Sequence, residues 1–383
     1  MSVKLEERIR QRLNAARQEG LYRNPPVLDK KSGRFVFLGN QKLLNFASND
    51  YLGLGSSEQV ASIVSNAFKR FSASSSSSRL VSGNFLTTCE AEQAYADYFG
   101  YDEAVFFSSG YQANSALIST LFEKEDTIIF DKHVHASCVS GLTMSQASLK
   151  GYNHSSMDHL EKRLGKIEKQ TAVVTESLFS MDGDLLDIQT FGAIKKKYSF
   201  FCIVDEAHAF GALGDGGRGI ARPVADIALG TFGKAMGLFG AFVLMPKGFK
   251  EYLINFASPF IYTTALPEAH AAAALEILDI ISFSHDKRAH LNQISSFMKD
   301  ELIKQGFIVN GQAHILSVTI GDEQLATDLS KALLKQGILS FPARYPTVQK
   351  GKAILRISLS ALHQQEDVRF FVEKLKKVKQ DAC

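Results

Sequence analysis

The 383-residue chain contains no tryptophan, eight prolines and four cysteines. The cysteines, Cys89, Cys138, Cys202 and Cys383, form no C-x-x-C pair, so neither a zinc ribbon nor a redox pair is indicated. Cys202 lies inside the apolar run FFCIV and reads as core; a reducing compartment is the expectation. Neither sign of charge dominates: 43 Lys and Arg against 40 Asp and Glu leave +3, which argues against a nucleic-acid partner. No apolar run reaches the roughly 18 residues needed to span a bilayer. The N-terminus, MSVKLEERIRQRL, is charged and amphipathic, without the apolar segment of a secretory signal. A protein of the cytoplasm with no membrane partner is expected. Hydrophobic residues at 45% and charged residues at 22% describe an ordinary globular chain, long enough to bury a large core without staples.

Residues 4–19 read as a short amphipathic helix, ended by Pro25 and Pro26. Turn signals at Ser32-Gly33 and Gly39-Asn40 frame short strands. From about residue 88, short apolar runs alternate with helical stretches. The runs are AVFF (104–107), TIIF (127–130), TAVVT (171–175), FFCIV (200–204), IALG (227–230) and AFVLM (241–245). QANSALISTLF (112–122) and LDIQTFGAIKKKY (186–198) are helical in pattern. Continuous apolar strands separated by helices predict an α/β fold, with a mostly parallel central sheet covered on both faces. Such sheets bind ligands at the carboxyl ends of their strands. After Pro267 a long helix leads to the strand-like ILSVTIG (315–321), GILSFPARY (337–345) and AILRISLSA (353–361), then to a closing helix. That predicts three parts: residues 1–47 with the helix and short strands, a large α/β domain over 48–270, and a small C-terminal α+β domain over 271–383.

VDEAH (204–208) follows a buried strand, but a nucleotide-hydrolysing reading needs a G-x-x-x-x-G-K-[S/T] loop. The only candidate, Gly233-Lys234, has Ala228 and Ala235 where that loop needs Gly and Ser or Thr. GDGGRG (214–219) matches the dinucleotide fingerprint in letters but lies ten residues beyond the strand, with Pro223 after it, and reads as a flexible surface loop. HVH (133–135) beside Asp131 could put two His on one strand face as metal ligands; no further His or Cys cluster completes a shell, so no metal is expected.

Lys234 follows IALG in GTFGKAMGLFGAF, crowded by Gly230, Gly233, Gly237 and Gly240. A poorly solvated Lys at the carboxyl edge of a sheet is a nucleophile for aldehydes; an exposed loop lysine is the plain alternative. Asp205 ends a strand at the same edge. One Lys with one buried carboxylate is the requirement of pyridoxal 5'-phosphate (PLP) chemistry, the Lys holding the aldehyde and the Asp the ring nitrogen. SSGYQANSAL (108–117) supplies a third part, a strand end running into a helix N-terminus that attracts a phosphate.

From NFASNDYLGL (45–54) to LRISLSALHQQED (355–367) the chain resembles the α-oxoamine synthases, PLP enzymes of fold type I. The carrying motifs are RLVSGN, FFSSGYQAN, HVHAS, TESLFSMDGD, VDEAHAFGALGDGGRG, TFGKAMGLFGA and FIYTTALP, in the family's order and spacing. The resemblance implies a homodimeric acyltransferase that condenses an amino acid with an acyl thioester and releases carbon dioxide. RLVSG and TESLFSMDGD favour the member that uses L-alanine and a pimeloyl thioester, on coenzyme A or an acyl carrier protein; glycine with a short acyl thioester is the alternative. By the same resemblance Lys234 is the cofactor lysine and general base, Asp205 the ring-nitrogen partner, and His208 and Ser180 partners of cofactor oxygens. His135 would stack on the ring. Ser109, Gly110 and Tyr111 would hold the phosphate, Thr231 like Ser180 would bond cofactor oxygens, and Thr263 and Thr264 would reach the neighbouring subunit's phosphate. Asn49 and Arg356 would hold the substrate carboxylate. One departure is SASSSSS (72–78), where relatives carry a glycine-rich segment; serine avoids positive φ, so a stiffer or reshaped loop is expected, with a linker as the alternative.

Overall fold

Each apolar run between residues 104 and 245 becomes a strand of one sheet. The computed structural model describes residues 2–167 and 171–382; Cys383 lies outside the described residues. By contacts the chain divides into two units. The larger comprises Asn49–Ser180 and Asp184–Leu291, and the other comprises the residues up to Ser48, Met181–Gly183 and those from Asn292 onward.

The larger unit holds strands β1 (Glu103–Phe107), β2 (Thr127–Asp131), β3 (Ser148–Tyr152), β4 (Thr171–Glu176), β5 (Phe201–Asp205), β6 (Ile227–Thr231) and β7 (Ala241–Met245). Their order across the sheet is β1-β7-β6-β5-β4-β2-β3. The strands from β6 to β3 pair in parallel, and β7 runs antiparallel to both β1 and β6. Parallel neighbours need a long crossover. Helices Gly110–Leu121, Ala136–Met144, Met157–Leu164 and Ile188–Tyr198 provide four of these, whereas β6 returns into β7 through residues 232–240 with no helix. The near-complete burial of β1, β4, β5 and β7 explains their unbroken apolar sequences. Strand β3, SLKGY, has no apolar run because it is the exposed edge, and its polar residues suit an edge that must not recruit another strand. Between sheet and helices lies a continuous core that includes Val105, Ala113, Leu117, Ile128, Val174, Ile203, Leu229 and Val243. Each such large side chain contributes about 1.5–3 kcal/mol on burial.

In the smaller unit, strands Lys30–Ser32, Phe35–Leu38 and Gln41–Asn45 continue into Ile338–Leu339, which pairs in parallel with Gln41–Asn45. A second sheet orders Val309–Asn310, Ile315–Gly321, Ala353–Ser358 and Phe341–Ala343. GILSFPARY is therefore not one strand. It changes sheets at Ser340, and Pro342, which cannot donate to a ladder, sits on the outer strand of the second sheet. No helix among the described residues is long and apolar enough to cross a membrane.

Two loops correct the sequence reading. The serine run is not a linker. Ser75 Oγ donates to Ala265 O at 2.8 Å, Ala265 N donates to Ser77 O at 2.9 Å, and Ser76 takes the left-handed φ of 50° that serine was expected to avoid. Nor is GDGGRG a loose surface loop. It belongs to the crossover from β5 to β6, which holds only the 3₁₀ turn Asp215–Gly217 and no α-helix, and that crossover wraps the buried Glu206. Glu206 accepts Ala221 N at 2.6 Å, Ile220 N at 3.1 Å and Ser177 Oγ at 2.6 Å. Glycines 214, 216, 217 and 219 all have positive φ, which lets the chain turn tightly enough to reach it.

Burial pushes the Glu206 carboxyl from its ordinary 4.5 up to about 7, against the pull of its three donors. The unfolded chain therefore releases this proton first, and stability falls as pH rises through that window. Glu206→Gln, which cannot ionise, should gain stability relative to the parent between about pH 4.5 and 7 and keep a constant advantage above it. Chemical unfolding of both proteins across that range checks this; a pH-independent difference would count against it.

Candidate functional site

The carboxyl ends of β1, β2, β4, β5 and β6 all lie on one edge of the sheet, and each is followed by residues singled out from the sequence. Ser108 and Ser109 follow β1. Ser109 is the N-cap of Gly110–Leu121, its side chain accepting Gln112 N at 3.1 Å, so Gly110 and Tyr111 form the first helical turn. The N–H groups of such a turn lack intrahelical acceptors and face an incoming anion. Gln112 is itself tied to Pro259 O at 2.7 Å. Thr263 and Thr264 line a small cavity together with Arg79, Ser108 and Gln112 of the same chain.

After β2 the two histidines of HVH part company, because the strand has already ended at Asp131. His133 stacks on His154 with ring centroids 4.0 Å apart, and His154 is held between Asp131 at 2.9 Å and Asp184 at 3.0 Å. Those two carboxylates raise the His154 pKa to about 10 against the opposing effect of burial, so it is a fixed cation. His135 instead caps Ala136–Met144. Its Nδ1 pairs with Ser137 Oγ at 2.8 Å, and the Tyr111 ring stands at a 78° tilt to it, 6.5 Å between centroids.

Asp205 ends β5 and is 8% exposed. Its Oδ2 accepts Asn114 Nδ2 at 2.7 Å and its Oδ1 accepts Ala207 N at 2.9 Å. The same Asn114 Nδ2 donates to Ser137 Oγ at 3.0 Å, so a continuous chain of contacts runs from His135 through Ser137 and Asn114 to Asp205. This chain depends on two helices lying almost in contact. A Cβ at Gly141 would stand 2.8 Å from Ile118 Cβ and 2.9 Å from Asn114 O.

His208, 8% exposed, pairs through Nδ1 with the hydroxyl of Tyr51 at 2.5 Å, and Tyr51 also reaches Asn49 Oδ1 at 3.2 Å. Ser180 is half-buried in the segment that follows β4. Lys234 lies in the turn after β6, half-buried, in a loop that closes on itself. Thr231 Oγ1 donates to Gly240 O at 2.9 Å and accepts Gly233 N at 3.1 Å, while His270 Nε2 holds Phe239 O. Lys234 and Asp205 both act electrostatically on His135, whose pKa is lowered mainly by partial burial, with Asp205 opposing and Lys234 adding. The larger unit thus gathers Ser109, Gly110, Tyr111, His135, Asp205 and Lys234 at one edge. Arg356 belongs to the smaller unit, 5% exposed in Ala353–Ser358, with Nη1 donating to Ser358 Oγ at 2.6 Å. That i, i+2 contact follows from the strand alternation read in LRISL.

Sequence reasoning missed Tyr51, Asn114, Glu176 and Glu206. Glu176 ends β4 in register with Asp205, is 2% exposed and accepts His135 N at 2.5 Å. Burial and the neighbouring Asp205 push its carboxyl well above the usual range. The available signal was an acidic residue at the end of each of two adjacent apolar runs, TAVVTE and FFCIVDE.

A family model described as aminotransferase class I and II matches residues 41–375. The 8-amino-7-oxononanoate synthase of Chlorobaculum parvum is 37% identical over 371 residues, covering 93% of this chain and 95% of that protein. Among solved structures, serine palmitoyltransferase from Sphingomonas wittichii matches with a TM-score of 0.91 at 30% identity, over 99% of this chain and 98% of that one. The 8-amino-7-oxononanoate synthase from Francisella tularensis matches at 0.78 and 32%, over 89% and 99%. The similar structures also include SPT with PLP.

Gly141→Ala should force the helices Gly110–Leu121 and Ala136–Met144 apart and cost about 1–3 kcal/mol, the usual range for overpacking. Its denaturation midpoint should fall accordingly; an unchanged midpoint would show that the two helices yield freely.

Proposed function

Because the chain belongs to the aminotransferase class I and II family and, within it, to the PLP-dependent α-oxoamine synthases, we propose that it condenses L-alanine with a pimeloyl thioester to give 8-amino-7-oxononanoate and carbon dioxide. The observation that carries the reaction class is the placement of Lys234 and Asp205 after adjacent strands of one sheet, β6 and β5. The residues fit the cofactor. A fixed carboxylate, a lysine in a closed loop, an imidazole at a helix cap and a helix N-terminus stand at one edge, and the buried Asn114 Oδ1 is left without a hydrogen-bond partner. When bound, PLP supplies an electron sink for carbanion chemistry at the substrate α-carbon.

The chain's own groups supply binding, orientation and proton transfer. Lys234 Nζ holds the cofactor aldehyde at rest, takes the α-proton as base and returns it at the end. The Asp205 carboxylate accepts the ring N–H in a charge-assisted bond; Asn114 and Ala207 N fix it there and offset the cost of its burial. His135 covers the ring face. Ser109, Gly110 and Tyr111 hold the phosphate end, His208 the phenolic ring oxygen, and Ser180 and Thr231 bond cofactor oxygens. The Asn49 side chain serves the amino-acid carboxylate. In this reading Thr263 and Thr264 serve the site of a second copy, which makes the protein a homodimer. The acyl carrier is coenzyme A or an acyl carrier protein. Cytoplasmic residence belongs to the same proposal; the free thiols of Cys89, Cys138 and Cys202 suit a reducing compartment.

The choice of alanine and the pimeloyl chain rests on the 37% identity to the Chlorobaculum parvum synthase. The larger TM-score of the serine palmitoyltransferase, 0.91 against 0.78, favours a second reading in which serine and a longer acyl chain are used. Carbon dioxide release with alanine, glycine and serine, each against pimeloyl, acetyl and palmitoyl thioesters, tests the choice. The largest kcat/KM should fall to alanine with the pimeloyl donor; a larger value for another pair would overturn the substrate assignment and leave the reaction class standing.

Lys234→Ala should keep the fold and lose turnover by about 10²–10⁴-fold, the range of a general base. Borohydride reduction of the parent with PLP should label Lys234, and a label on another lysine would end the assignment. Asp205→Asn should lower kcat with little change in KM, because the charge it balances develops during the reaction.

A further inference from the structure

Glu176 is a buried acid for which the proposed chemistry has no use. It ends β4 beside Asp205 at the end of β5, and it accepts the backbone N–H of His135 at 2.5 Å. His135 follows strand β2 and N-caps the helix Ala136–Met144, where its carbonyl oxygen accepts Cys138 N at 2.9 Å and Val139 N at 3.2 Å, so the helix fixes its carbonyl side and leaves its N–H to be held from the sheet. Its ring is held from one side by Ser137 Oγ at 2.8 Å. Its main chain is held from the sheet by the Glu176 carboxyl.

We propose that Glu176 is a positioning residue that sets His135 at the edge of the sheet where Asp205 stands, by anchoring the His135 main chain to the strand next to the one that carries Asp205. The inference deepens the PLP reading given above and rests on it for the purpose of His135, while the anchoring itself can be measured without cofactor. The groups that face Glu176 electrostatically are Asp205, Lys234 and Asp131. Two ionised carboxyls side by side in a buried edge repel each other, and only one of the pair needs its charge. Burial, then Asp205, drive Glu176 toward its neutral form, while the His135 N–H and Lys234 pull the other way. A neutral carboxyl still accepts through its carbonyl oxygen, so the anchor needs the length and the acceptor of Glu176 rather than its charge. Glutamine has both. Aspartate is one methylene short, and alanine has neither.

The test compares Glu176→Ala, Glu176→Asp and Glu176→Gln by two readouts that do not require turnover. Amide hydrogen exchange of His135 is measured on protein without added PLP, and PLP affinity is measured by fluorescence titration. Glu176→Ala and Glu176→Asp should lose protection at His135 and bind PLP about tenfold more weakly, as a part-buried N–H deprived of its acceptor does. Glu176→Gln should restore both to within about threefold of the parent. Should the alanine variant fail to fold, the aspartate and glutamine variants carry the comparison alone. Retained protection at His135 in Glu176→Asp, or a glutamine variant as impaired as the aspartate one, would overturn the proposal. A change of preferred amino acid or thioester would alter the substrate assignment and leave these two readouts unmoved.

Discussion

Buried carboxyls crowd one edge of the sheet, and the surrounding structure is arranged around the cost of keeping them there. Glu176, Asp205 and Glu206 are 2%, 8% and 1% exposed. An isolated buried carboxylate is too costly to persist, so each must find hydrogen-bond donors or hold its proton. The donors come from the loops that build the site. His135 N serves Glu176, Asn114 and Ala207 N serve Asp205, and Ser177 with the backbone of Ile220 and Ala221 serves Glu206. Satisfying these acids therefore fixes the positions of the β2 and β5 loops at the same time.

That coupling explains why the crossover from β5 to β6 works without an α-helix. A parallel return needs a long connection, and a long connection without secondary structure needs other anchors for its backbone. Glu206 provides them, and the glycines that let the chain bend around it follow from the geometry. The Lys234 loop is braced by a different device. Thr231, Gly240 and His270 close it, and the His270 imidazole, with its pKa lowered to about 4 by burial, donates as a neutral ring. A lysine on such a loop has little freedom to wander, which is the preorganisation that proton transfer at a fixed atom requires.

The exposed and buried strands show how far hydropathy reaches. The sheet's interior strands were legible because burial on both faces demands unbroken apolar runs. Strand β3 was not, since its outer edge faces solvent and its residues are polar. GILSFPARY looked like one strand because apolar patterning does not record a change of sheet; only the pairing partners reveal the break at Ser340. Propensity alone disfavours a positive φ in the serine run, yet Ser76 adopts one between Ser75 and Ser77, whose hydrogen bonds to Ala265 hold the segment in place.

By itself, then, the sequence determined the parallel α/β architecture and the placement of Lys234 and Asp205 at the ends of strands on one edge of the sheet, because strand burial and strand-end position are local properties of apolar runs. The network from His135 through Ser137 and Asn114 to Asp205, the Tyr51–His208 contact and the anchor at Glu176 were decided by tertiary structure alone. They join residues between 2 and 157 positions apart, and whether a polar side chain finds its donor depends on how closely two helices pack, which no local pattern encodes.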